Sequence, residues 1–136
     1  MRIPPASSAR LQGPTTSTAR FETARRNFQR ARYELTAAAL AEVVLRVRTR
    51  HPDAARLLVI CDDVEDGLYL AEITDRAGRP LDVTGALLDD RTTAQILGNI
   101  RGGDLASLPG VTHDRIAMAF ALEIDALPGD FCRGEP

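Results

Sequence analysis

The chain has no lysine and no tryptophan, and in 136 residues it carries only four Phe, two Tyr, two Cys and two His. Each scarcity closes a route. A P-loop needs a lysine on its phosphates, so Gly102-Gly103 belongs to none, and there is no GxGxxG; nucleotide binding through a glycine-rich loop is excluded. With so few aromatics the core must be built from Leu, Ile, Val and Ala, and no aromatic platform exists on which single-stranded bases could stack. Cys61 and Cys132 form neither a CxxC nor a metal-type pair, a usage that fits a reducing, cytoplasmic setting. His51, just before Pro52, reads as a C-terminal group of a helix. Ser107, His113 and Asp114 lack the G-x-S-x-G elbow, and an Asp next in sequence to its His seldom orients the ring, so no catalytic residue is assigned. No apolar run approaches the ~18 residues of a membrane span. The opening MRIPPASSARLQGPTTS lacks the apolar segment of a secretory signal. Its Arg and Ser content resembles a transit peptide, but Pro4, Pro5 and the lack of an amphipathic pattern stand against that.

What is present is arginine and a charge split. Residues 1–52 hold ten Arg against three acids, a net +7, and residues 53–136 hold seven Arg against sixteen acids, a net −9. The net charge of −2 conceals this dipole. A basic arm on an acidic body is suited to meeting something anionic: nucleic acid, a partner, or the body itself. Exclusive use of Arg, together with abundant Ala, also fits codon usage in a GC-rich genome, which discounts a special choice of Arg for phosphate.

The length fits one domain, and the hydrophobic content of 44% is ordinary for a globular protein. Residues 1–18, rich in Pro, Ser, Thr and Gly, are expected to form a disordered tail. Residues 19–51 predict one long helix, started by Ser17 or Thr18 and closed by Pro52. At 1.5 Å per residue it would be about 50 Å long, against a radius of gyration near 14 Å for a body of this size. Phe21, Ala24, Phe28, Ala31, Leu35 and Ala38 follow 3-4 spacing and form one seam, which Glu42 breaks. Leu40, Val43, Val44 and Val47 centre roughly 100° away. The second face is expected to cover the domain's own sheet. The first is left to a partner, such as the same helix of a second copy, unless a kink or a curved sheet accommodates both.

Downstream, RLLVICD (56–62) and LYLAEIT (68–74) predict a hairpin, DRAG (75–78) a turn, and RPLDVTGAL (79–87) a third, interrupted strand. RTTAQILGNI (91–100) predicts a short helix capped by Asp89 or Asp90, and residues 102–110 a loop with a helical turn near Leu105. IAMAFALEID (116–125) alternates with period two, as a strand does. Residues 127–136 are expected to fray. The expectation is an α+β fold over residues 19–126, with a long N-terminal helix and a short helix on a small, mostly antiparallel sheet of three to four strands. This order, with its D-x-x-G turn and final alternating strand, resembles small uncharacterised α+β proteins from GC-rich bacterial genomes over residues 50–126, a resemblance that implies no activity.

Two clusters invite function. Arg25, Arg26, Arg30 and Arg32 crowd one helical stretch, where Arg26 and Arg30 repel at i, i+4 and positive charge early in a helix opposes its dipole; an external anion would offset both costs. Asp62, Asp63, Glu65 and Asp66 could hold a divalent cation, but the spacing is not that of an EF-hand, and acids at a hairpin tip read as a solvated turn. The reading is a small non-catalytic interaction or regulatory protein, with no cofactor and no metal. It would self-associate through Phe21, Ala24, Phe28, Ala31 and Leu35 and meet an acidic partner through Arg25, Arg26, Arg30 and Arg32. The alternatives are a nucleic-acid-associated regulator using the same Arg face and a metal-dependent enzyme at the acidic turn.

Overall fold

A computed structural model describes residues 3–63 and 66–132, with the side chains of residues 3–15, 130 and 132 outside the description. The chain divides into two units, Met1–Tyr33 and Glu34–Pro136, and the first helix passes through the division. That helix, α1, spans Ile3–Arg50. It starts at Ile3, well before the cap expected at Ser17 or Thr18. Pro4 and Pro5 fall in the first turn, where a helix needs no N–H and the fixed φ of proline is already helical.

In the first unit, residues 16–33 are exposed apart from half-buried Glu22. The second unit holds the core. Its four-stranded antiparallel sheet has the order β2-β1-β4-β3, built from β1 (Ala54–Ile60), β2 (Tyr69–Asp75), β3 (Val111–Asp114) and β4 (Ala119–Glu123). This is the α+β architecture expected. Leu57 of β1 pairs with Ile73 and Leu122, and Val59 pairs with Leu70 and Phe120, so one sheet face is continuously apolar. Leu40, Val43, Val44 and Val47 of α1 are buried in the same cluster as these residues, which confirms the second helix face.

The other elements are short: α2 (Arg91–Leu97), α3 (Gly102–Leu105), a 3-10 turn (Ile124–Ala126) and α4 (Gly129–Cys132). Asp90 caps α2, accepting from Thr93 N and Thr93 Oγ1 at 2.8 Å each, and Gly98 ends it. The DRAG turn is as expected: Asp75 Oδ1 accepts from the Ala77 and Arg79 amides, and Gly78 takes the left-handed φ.

Three expectations need correction. Residues 79–87 are not a strand: apart from one bridge, Thr74 to Pro80, they form turns. Asp82 takes a φ of 56° and gathers the Leu87 and Leu88 amides on its carboxylate, which winds the segment up. The strand expected over 116–125 is confined to Ala119–Glu123, and its partner β3 is a strand that no expected element covers. Asp114 Oδ1 accepts from the Ile116 and Ala117 amides, and Met118 has a φ of 53°, so a turn consumes the first residues of the alternation and leaves Ile116 97% exposed. Finally, the tail expected to fray is seated as far as it is described: Leu127 and Phe131 are buried in the core cluster.

Candidate interaction surface

The residues singled out on α1 stand as follows. Phe21 and Phe28 are 63% and 61% exposed, Leu35 is 50% exposed, and Ala24, Ala31 and Ala38 are exposed as well. Two phenylalanines two turns apart on an exposed helix are unusual, because each holds 150–250 Å² of mostly apolar surface that water disfavours. Arg25 Nη2 donates to Glu22 Oε1 at 2.5 Å, an i, i+3 pair that neutralises this arginine locally. Arg26 reaches Thr23 Oγ1 at 3.4 Å. The Arg32 guanidinium lies 5.7 Å from the Phe28 ring centroid, within cation–π range. Arg30 makes no ion pair among the described residues. The helix therefore presents a Phe/Ala seam flanked by arginines, one of which packs over the aromatic it flanks.

The arginines of residues 34–50 are engaged differently. Arg46 pairs with Glu42 at 2.9 Å and lies 3.8 Å from Asp90. Arg48 donates to the Ala54 carbonyl and to Asp125, which also receives Arg76. Arg50 and His51 both face Asp82, whose carboxylate is fully buried, with His51 Nε2 3.0 Å from Asp82 Oδ1. Burial works against the charge on Asp82, but the hydrogen bonds from His51 and from the Leu88 and Leu87 amides outweigh it and hold the carboxyl below its usual range. His51 thus does more than end a helix. It ties the helix end to the 82–90 turn, a contact with no signature in the local sequence. Asp125 is likewise held low, chiefly by its hydrogen bonds from Arg76 and Arg48.

The remaining candidates separate. In the acidic turn, Asp62, Asp63 and Asp66 are exposed, and Glu65 lies outside the described residues. Among the described residues no group of three or more His, Cys, Asp or Glu is placed to hold a metal ion. Cys61 is buried with a free thiol, pushed up by burial and by the nearby Asp63, Asp66 and Asp62 carboxylates, the reverse of what a nucleophilic thiolate requires. His113 stacks on Phe120, with centroids 4.2 Å apart and planes 12° apart, and does not form a triad. No described helix is long and apolar enough to cross a membrane. Comparison with known proteins adds nothing to this picture: no family model, no curated protein and no solved structure matches the chain.

Proposed function

We propose that this is a small, non-catalytic interaction protein that self-associates through residues 21–31 of α1, in a reducing, cytoplasmic setting. The observation that carries the reading is the exposure of Phe21 and Phe28 on a seam whose other positions, Ala24 and Ala31, are small. A second copy is the natural complement of such a seam. In an antiparallel pair Phe21 lies opposite Ala31 and Ala24 opposite Phe28, so every large side chain meets a small one, as knobs-into-holes packing requires. A parallel pair stacks Phe on Phe and Ala on Ala and fits poorly.

Burying a Phe contributes about 1.5–3 kcal/mol, so four of them offer roughly 6–12 kcal/mol against an association cost of about 4–15 kcal/mol. The terms are similar in size, which predicts a reversible, concentration-dependent dimer. Light scattering across a dilution series tests it: the wild type should move from dimer to monomer on dilution, and Phe28→Glu should be monomeric throughout. A wild type that is monomeric at all concentrations removes the proposal.

A further inference from the structure

We infer that the cleft between α3 and the turn joining β3 to β4 is a binding site for a small, flat, apolar molecule carrying one anionic group. The cleft has a volume of about 510 Å³, inside the range of small-molecule sites. Its walls include Cys61, Gly103, His113, Arg115, Met118 and Phe120.

Three features define what fits. The first is a flat aromatic wall: the His113 ring stacks on Phe120. Phe120 is held in turn by Gly102, since a Cβ at that position would lie 2.8 Å from the Phe120 Cζ. The second is an apolar flank. Buried Cys61 remains a neutral thiol beside Met118, whose carbonyl receives the Cys61 amide at 3.2 Å. Met118 takes a left-handed φ of 53° to do so, a conformation that costs a non-glycine residue free energy and that clusters at binding sites.

The third feature is charge. Among the described residues no carboxylate lines the cleft, although acids outnumber arginines sixteen to seven over residues 53–136; the Asp62, Asp63 and Asp66 carboxylates that act on Cys61 lie outside its walls. Among the described residues Arg115 is the one arginine on its walls, and it makes no ion pair with any of them. The two clefts near the C-terminal end of α1 are different. Their arginines are already ion-paired: Arg48 and Arg76 share Asp125, Arg79 pairs with Asp75, and Arg56 with Glu123. Stacking surface, apolar flank and one available guanidinium together select an aromatic anion.

Ligand-observed NMR on the full chain tests this with three probes of one shape: 2-naphthoate, 2-naphthalenemethanol and 2-naphthylmethylammonium. Naphthoate should bind, about tenfold tighter than the neutral alcohol, as a charge-assisted contact would give, and the ammonium should bind weakest. Arg115→Ala should reduce naphthoate to the affinity of the alcohol. A Cβ at Gly103 meets nothing within 4 Å, so Gly103→Leu should fold and abolish binding of all three by filling the cleft. Ala106→Leu, on the exposed wall, serves if that variant does not fold. No signal from naphthoate at millimolar concentration, equal or tighter binding of the alcohol or ammonium, or binding that survives the filling variants would each overturn the inference.

Discussion

Two stretches of one helix, residues 16–33 and 34–50, use the same building materials to opposite ends. Both are rich in Ala and Arg. In 34–50 the large apolar residues are Leu and Val, and Leu40, Val43, Val44 and Val47 are buried with the sheet. In 16–33 they are Phe21 and Phe28, and both are exposed. The arginines differ in the same sense. Arg46, Arg48 and Arg50 reach carboxylates far away in sequence, whereas Arg25 pairs with Glu22, three residues away. The difference shows that a helical pattern alone does not define a core. In 34–50 the face presented is met by carboxylates and apolar strand residues from elsewhere in its own unit.

Substitution at matched positions should therefore split the stretches sharply. Leu40→Ala removes fully buried methyl groups and should cost about 2–5 kcal/mol in denaturant unfolding. Phe28→Ala, a larger truncation, should change monomer stability by less than about 0.5 kcal/mol, because that ring is not in the core. Equal losses at the two sites would erase the comparison.

The next effect is expected at Asp82. Asp82→Ala strands the Leu87 and Leu88 amides and the His51 ring and places alanine at a φ of 56°, for a loss of about 2–4 kcal/mol. Asn tolerates the left-handed backbone and keeps one acceptor, so Asp82→Asn should lose less. The pH dependence follows in sign. The Asp82 carboxyl is held below its ordinary value, so its contribution is complete above the unfolded pKa of about 3.9 and is lost as pH falls through the lower folded value. Denaturant titrations should show the wild type weakening below about pH 4 and Asp82→Asn weakening less. A variant whose acid profile matches the wild type would show that Asp82 is not the group responsible.

Asp82 also shows where the sequence was legible and where it was not. The β1–β2 hairpin, a cap at Asp89 or Asp90 and the two faces of α1 could be read because each is a local pattern of residue types. The turn at Asp82 repeats the D-x-x-G signal of Asp75–Gly78, with the Gly85 amide donating to the Asp82 carbonyl at 2.7 Å. The segment 79–87 nonetheless reads as an interrupted strand in sequence. The burial of the Asp82 carboxylate against His51, 31 positions away, left no local trace. The same holds for the cleft, where Cys61, Gly103 and His113 come together only once β1 and β3 have paired on either side of β4. The missed β3 failed for a simpler reason: four residues are too few to show a period.

The smallest expected effect is the most discriminating for the 16–33 stretch. In the antiparallel arrangement with Phe21 opposite Ala31, the flanking heptad position brings Arg25 of one copy beside Arg25 of the other. Each arginine is already paired with its own Glu22, so the repulsion between copies is partly neutralised. Added salt screens what remains, while the apolar contacts are not weakened by it. The dimer should therefore hold or tighten slightly, by about two-fold, between 50 and 500 mM salt, read as the dilution midpoint in light scattering. Binding of an anionic partner to Arg26 and Arg30 would run the other way and weaken steeply as counterions compete. An association that collapses with salt would therefore mean that the arginines, not the phenylalanines, make the contact, and that the exposed rings of 16–33 serve some purpose other than pairing.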